Sequence, residues 1–517
     1  MRAAVALGGA CVLAAAAAAA TPPPPPAAPV LVELARTDAP LLRALRSAGA
    51  TRVAAEPPVW RLRAAAAPRV LAVLRRRHAV RSVARDRVLL PLGASAPARP
   101  GAAAAWWVAA VGAGGLAPPG PGRRVTVVDT GLDASHPEFA GRPDTVALNR
   151  QQITSTDDFH GTAISSLIGA QGKRMLGIYP RARLYEWDAS ERDGLELSAI
   201  IAGIEAATRL GPGVINLSFG SDADVPMLRD AILAAVRRGS IVVAASGDSR
   251  GFDFSPYPAE YPHVLTVAAT DRHDRPAAFS SPSSSIDVAA PGVDVTVAVP
   301  QANDPSGYTT ANGTSYSAAL VSGALAWIWT RRPHLDNTQL LTLVRRTARR
   351  VGGSGISNDT GYGVIDVRAA LSAPAPPTDP LEPNDDVATV RPHGLFAEGS
   401  PLLTSAAAPT ATLRARVDQI KDPADVYRAL VPAHGTLTLR VGGLEGDVAV
   451  RVWGPRTPTI LERGAVEKRD LLGSRAFRSG GTLQVANASP AAQLVYVDVS
   501  AGVSRTASYT LRLSARG

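Results

Sequence analysis

The chain has 517 residues, enough for about two to four domains, and its hydrophobic fraction of 46% is ordinary for folded protein. Its formal net charge is +10, with three lysines (Lys173, Lys421, Lys468) and the other basic residues all Arg. Those Arg residues are scattered, aromatics are sparse and no nucleic-acid motif is present, which argues against nucleic-acid binding.

In chain order, Arg2 precedes an apolar stretch from Ala3 to Ala20, then Thr21 and five prolines. This reads as a secretory signal over residues 1–20, with Ala18 and Ala20 suiting a small-residue cleavage site. The run is barely long enough to span a bilayer and carries Gly8 and Gly9, so an anchor is the weaker reading. The single Cys, Cys11, lies inside it, so the mature chain is expected to lack disulfides. No later stretch is long enough to span a bilayer, and the expectation is a secreted, extracellular protein.

Residues 29–92 read as a small α+β unit. Val30–Leu34, Val59–Leu62, Val80–Val83 and Val88–Leu90 are strand candidates. Helices are expected from Asp38 to Ala48, with Leu41, Leu42 and Leu45 on one face, and from Pro68 to Arg77. The order β-α-β-α-β is a ferredoxin-like pattern. Pro91 to Ala105 is rich in Pro, Ala and Gly and reads as a cleavable linker, so residues 21–98 are taken together as this unit and its linker.

Residues 99–372 alternate apolar strands with helices, which implies a parallel sheet covered on both faces. The strand Arg124–Val128 ends in Asp129-Thr130-Gly131. Asp158-Phe159-His160-Gly161-Thr162 precedes a helix. Val214-Ile215-Asn216-Leu217-Ser218-Phe219-Gly220 is a strand, with helices before (Ile200–Leu210) and after (Leu228–Arg238). Further strands follow at Ile241–Ala245 and Val264–Ala268. Asn312-Gly313-Thr314-Ser315 opens an apolar run to Trp329 that would be buried as a helix. Each site residue has a plainer reading on its own: Asp129 in an Asx-turn, His160 structural, Ser315 a helix cap. Asp129, His160 and Ser315 nevertheless occur in the order of a subtilisin triad, not that of chymotrypsin or the α/β-hydrolases. G-x-S-x-G also fails, because Ser317 stands where its second Gly would be.

"VTVVDTGLDASHPEF" around Asp129, "HGT" at His160, "VINLSFGS", "YPAEYPHVLTVAAT", "FSSPSSSIDVAAPGVDV", "NGTSYSAALVSG" around Ser315 and "GYGVIDVRAAL" follow one another from about Trp106 to Leu371. Together they resemble the subtilisin-type (subtilase) serine endopeptidases. The resemblance implies that Ser315 is the nucleophile, His160 the general base and Asp129 its orienting partner. It also implies that Leu217, Ser218, Phe219 and Gly220 pair with an extended polypeptide substrate, and that Ser315 N–H is one oxyanion donor. The 21–98 unit resembles the family's propeptide, an intramolecular chaperone and inhibitor.

The family usually supplies a second oxyanion donor from Asn at the end of "AAGN". Here Ala244-Ala245-Ser246-Gly247-Asp248 puts Asp248 there, and an ionised Asp cannot donate. Three readings follow. Asp248 is protonated and the enzyme active, as in the sedolisins with their similar "SGDS" string; or activity is low but enough for self-cleavage; or the domain only binds peptides. Loop 170–176 carries Lys173 and Arg174 where the family's calcium loop usually carries Asn. These cations argue against calcium, so no cofactor is expected; Glu138 is either a metal ligand or, as the plainer reading, a surface carboxylate.

Residues 373–381 are a Pro-rich linker. Residues 382–517 hold seven short strand candidates (411–417, 426–431, 436–441, 448–453, 483–486, 494–499 and 509–513) and suggest an all-β sandwich. "EPNDD", "DPADVYRALVPAHGTLTLRV" and "SYTLRLS" resemble the bacterial pre-peptidase C-terminal domain. Asp422, Asp425 and Asp447 are calcium-ligand candidates there, with turn capping the plainer reading.

Overall fold

The structure, a computed structural model, describes residues 28–96, 105–151, 159–191, 194–250, 255–353, 355–461 and 469–517. The expected signal with Cys11, Asp158, and residues 97–104 of the linker lie outside these. A seven-stranded sheet forms the centre of the chain, in the order Val288–Pro291, Val264–Thr270, Ile241–Ala245, Val214–Leu217, Arg124–Asp129, Arg183–Asp188 and Thr145–Ala147. Every pairing in it is parallel. The middle strands are buried on both faces, and their side chains are mostly Val, Ile, Ala and Leu, with Asn216, Thr266 and Thr270 the polar members.

The helices Leu197–Arg209 and Pro226–Arg237 cover one face. Thr314–Arg331 and His160–Gly169 cover the other. Thr314–Arg331 is buried at every position from Thr314 to Trp329, as its all-round apolar sequence requires. Gly323 lets it pack closely, because a Cβ there would sit 2.1 Å from Ile178 Cγ2.

The N-terminal unit is a four-stranded antiparallel sheet in the order Thr51–Ala54, Val59–Leu62, Val30–Leu34, Val80–Arg85. Its helices are Ala39–Ser47, capped by Asp38, and Ala67–Arg76. Thr51–Ala54 completes the ferredoxin-like pattern that the sequence reading left one strand short. One face buries Leu41, Leu45, Leu71 and Leu74. The other presents Leu31, Ala54 and Val59 to Ile200, Ile201, Ile204 and Met227 of the two central helices. Fully burying such a side chain contributes about 1.5–3 kcal/mol.

Val88–Pro91 does not join that sheet, contrary to the sequence reading. It pairs antiparallel with Gly194–Glu196 and with Phe219–Gly220 of the central unit. The C-terminal unit is a sandwich of two four-stranded antiparallel sheets over one core. It holds an eighth strand, Leu471–Phe477, beyond the seven expected.

Candidate active site

Asp129 ends the Arg124–Asp129 strand, and His160 opens the helix that follows. Gly161 makes their meeting possible, since a Cβ there would lie 2.2 Å from Gly131 O. Its N–H donates to Thr130 Oγ1 at 2.9 Å. His160 Nδ1 then lies 2.8 Å from Asp129 Oδ1. Both side chains are buried, and the His160 ring lies 6.0 Å from that of Tyr316, in the first turn of the Ser315 helix. Burial alone would lower the His160 pKa. The charge and hydrogen bond of Asp129, with the Leu92 carbonyl, raise it above its ordinary value.

Ser315 is also buried, and its Oγ donates to Ser218 O at 3.0 Å. A chain of buried hydrogen bonds fixes that strand against the helix. Ser322 Oγ donates to Asn216 Oδ1 (2.9 Å), Asn216 Nδ2 to Ser218 Oγ (2.9 Å), and Ser218 Oγ to Ser315 O (3.2 Å).

Asp248 approaches from the loop after Ile241–Ala245. Its Oδ1 accepts from Thr314 N and Thr314 Oγ1, both at 2.8 Å. Its Oδ2 is buried without a partner. A Cβ on Gly313 would sit 3.2 Å from that Oδ2 and 2.5 Å from Gly93 Cα, so the free oxygen and Gly93 border the same corner. Burial raises the carboxyl pKa, against the opposing pull of the Thr314 donors and the His160 charge.

The cleft is filled by the chain itself. Leu90 is opposite Gly220 and Pro91 opposite Phe219. Leu92 N donates to Ser218 O at 3.1 Å, and His160 Nε2 lies 3.1 Å from Leu92 O. Beyond Gly93, Ala94–Ala96 pairs antiparallel with Thr310–Asn312. The Leu92–Gly93 peptide thus runs between Asp129–His160 and Ser315, while Leu217 is a fully buried sheet position below. The sequence reading took Val88–Leu90 as a strand and Pro91 onward as linker, but did not give their pairing with the cleft; the local signal is an apolar run, Val88-Leu89-Leu90-Pro91-Leu92, ended by Gly93.

Glu138 is fully buried, which corrects its reading as a surface carboxylate. Its oxygens accept from the N–H groups of Gly172 (3.0 Å), Lys173 (3.1 Å), Arg174 (2.7 Å) and Met175 (3.1 Å), and from Tyr308 OH (2.9 Å). A loop that aims N–H donors at its carboxylate does not fit a calcium ion, which needs oxygens there. At Asp447, turn capping is what the geometry gives: Val503 N, Ser504 N and Ser504 Oγ donate to it at 2.7, 2.8 and 2.7 Å.

Comparison with known proteins places this site in context. The model of the subtilase family matches residues 120–363. Subtilisin BL of Lederbergia lenta is 34% identical over 254 residues, 48% of this chain and 91% of that protein. Fervidolysin from Fervidobacterium pennivorans, a keratinolytic enzyme related to subtilisin, superposes with TM-score 0.60 at 20% identity, covering 89% of this chain and 84% of its own. The epidermin leader peptide processing serine protease of Staphylococcus aureus superposes with TM-score 0.55 at 19% identity, covering 66% and 98%. The two superpositions speak to the fold alone.

Proposed function

The chain belongs to the subtilase family and is a subtilisin-like serine endopeptidase, and from that premise we propose that it cuts itself once, between Leu92 and Gly93, before it cuts other polypeptides. The observation that carries this reading is the path of that peptide through the cleft, with Leu92 N on Ser218 O and Leu92 O on His160 Nε2.

A turn of the Ser315 side chain brings Oγ from Ser218 O to His160 Nε2 as the Leu92 carbonyl oxygen leaves that nitrogen and swings toward Ser315 N–H. Oγ then attacks the carbonyl carbon as its proton passes to His160. Asp129 holds the imidazole by Nδ1 and stabilises the imidazolium. The negative charge on the former carbonyl oxygen is met by Ser315 N–H and by a protonated Asp248 Oδ2, while Oδ1 stays with Thr314. The intermediate collapses, Gly93 N leaves with the proton from His160, and Leu92 remains as an ester on Ser315. Water, deprotonated by His160, releases it. Substrates cut later follow the same steps, with Ser218–Gly220 pairing to them as it pairs to Leu90–Leu92.

On this reading residues 21–92 are a propeptide that blocks the cleft, and residues 1–20 direct export. The support is the apolar run with its small-residue site, and no helix of the described residues is long and apolar enough to cross a membrane. Loop 170–176 works without calcium, and the reading invokes no cofactor in catalysis. Nothing observed favours the binding-only alternative.

The test is to express wild type and Ser315→Ala and determine the N-termini by mass spectrometry. A new terminus at Gly93 in wild type alone is expected. An intact Leu92–Gly93 bond in active, fluorophosphonate-labelled wild type would overturn the assignment of the bond. An intact bond with no labelling at any pH would overturn the mechanism.

A further inference from the structure

One sheet of the C-terminal sandwich turns outward a face of Arg, Thr and Ser with almost no acid. Its strands are Thr410–Asp418, Thr506–Arg516, Thr436–Glu445 and Gly481–Ala486, in that order. Alternate residues (Leu413, Ala415, Leu511, Leu513, Leu437 and Leu439) fill the core, so the residues between them face out. Arg414 lies opposite Thr510 and Arg416 opposite Ser508. Arg512 lies opposite Thr412 on one side and Arg440 on the other, and Arg440 is opposite Thr482 in turn.

The charge on this face is one-sided. Arg414, Arg440, Arg512 and Arg516 are exposed, and among the described residues none of them forms an ion pair. Arg440 and Arg512 stand directly opposite on neighbouring strands, where like charges are destabilising. The whole chain has 44 acidic against 54 basic residues, so a face drawn from that mix would carry acids beside its Arg. Of the acids on these four strands, Asp418 is buried and Glu445 alone is exposed.

The face continues into a cleft where the sandwich meets the central unit. A cavity of about 590 Å³ lies there, within the range of about 300–1,000 Å³ usual for ligand sites. Arg346 lines it from the Asn337–Thr347 helix, and Arg414 and Arg416 line it from the sheet, beside the hydroxyls of Thr506, Ser508 and Thr510. Arg416 Nη2 donates to Tyr362 OH at 3.3 Å. Two acids also line the cleft, Glu445 and Asp379. Asp379 Oδ2 accepts from Arg416 N at 3.1 Å, and burial with the nearby Asp425 holds its carboxyl well above the usual range.

We propose that this face and its cleft bind an acidic polysaccharide and so fasten the peptidase to a polyanionic matrix. Guanidinium forks match carboxylate and sulfate groups through paired hydrogen bonds. The sheet spaces its outward residues about 5 Å apart across strands and about 7 Å along one, so neighbouring Arg side chains can take successive acidic groups of one polymer. The Thr and Ser hydroxyls between them donate to and accept from sugar hydroxyls. The outward residues of the four strands include no aromatic ring on which bases would stack, which disfavours single-stranded nucleic acid. Nor do they include a large apolar side chain to enter a bilayer or to form the centre of a protein interface. This surface is separate from the triad and does not rest on the proposed self-cleavage.

The test uses full-length Ser315→Ala, which keeps the chain intact. Its binding to heparin (sulfated), polygalacturonate (carboxylated) and neutral dextran is measured across a salt series. Binding to at least one acidic polymer, none to dextran, and a Kd that rises with salt are expected. Arg440→Thr/Arg512→Thr should weaken that binding about tenfold or more and flatten its salt dependence. The Tm should not fall, because both positions are exposed and their repulsion is relieved. Arg75→Gln/Arg76→Gln removes the same charge from exposed positions of the N-terminal unit and should leave the Kd within about twofold. If the sheet variant does not fold, Arg346→Gln/Arg414→Thr takes its place with the same expectation. No binding to either acidic polymer at about 0.15 M salt would overturn the proposal. So would an unchanged Kd in the sheet variant, or an equal loss in the N-terminal one, which would make net charge the whole cause. Tighter binding to duplex DNA or to phosphatidylglycerol vesicles than to both acidic polymers would overturn the choice of partner.

Discussion

With Asp248 Oδ1 taken by the two Thr314 donors, only Oδ2 is left to face a reacting carbonyl. Under the proposed mechanism that atom stabilises the oxyanion when it carries a proton and repels it when it does not. The raised pKa makes the neutral form available above the usual carboxylate range. The sign follows: activity that depends on the neutral carboxyl is present at low pH and lost as pH rises through the folded pKa. Asp248→Asn supplies an N–H at every pH, so kcat/KM at pH 7.5 should rise, by up to about 10²–10³ if wild-type Asp248 is fully ionised there. The pH profile should lose its alkaline fall. An unchanged or lower kcat/KM at pH 7.5 counts against a donor role for Asp248. Asp129, His160 and Ser315 were legible because each is a short motif in fixed chain order. The partner of Asp248 was not, because Thr314 becomes its neighbour only through a contact between distant segments.

Among the elements, loop 170–176 is held by a buried carboxylate that its own backbone surrounds. Four consecutive N–H groups converge on Glu138. Burial would raise that carboxyl, but these donors and Tyr308 hold it below its ordinary pKa. Its stabilisation is therefore present above the unfolded carboxylate pKa and is lost as pH falls. Glu138→Ala strips the partner from all five donors and should cost about 3–5 kcal/mol, read by urea unfolding of the Ser315→Ala protein at pH 7. A change within about 0.5 kcal/mol would mean that the loop reorganises freely. The sequence showed Lys and Arg in this loop but not that its backbone, rather than its side chains, meets the carboxylate. The missed strands have similar causes. Thr51–Ala54 buries only Ala54, and Leu471–Phe477 only Phe477, so neither carries a clear apolar alternation. Val88–Pro91 was visible as a strand, but its partners lie more than a hundred positions away, beyond what local pattern can assign.

Across the whole molecule, the N-terminal unit is tied to the central helices by charge as well as by apolar contact. Asp86 Oδ1 accepts from Ser198 N at the start of the Leu197–Arg209 helix, where the helix dipole favours an anion. Glu56 pairs with Arg238 at 2.8 Å across the exposed rim. One contact runs the other way. Glu33, fully buried on the Val30–Leu34 strand, faces Asp230 of the Pro226–Arg237 helix, and Arg81 Nε lies 3.2 Å from Glu33 Oε1. Burial and Asp230 push Glu33 up to about 8, and a released strand would return it toward the ordinary glutamate range. A group whose pKa is higher in the docked state favours docking at low pH. That advantage is full below the released value and is lost as pH rises through the docked one. After self-cleavage, the N-terminal unit should therefore co-elute with the rest of the chain at pH 5 and separate at pH 8.5. Glu33→Gln, which holds a neutral side chain there at both values, should keep the two associated, with at least a tenfold weaker dependence on pH. Release of wild type to the same extent at both pH values would show that this buried pair does not govern departure from the cleft.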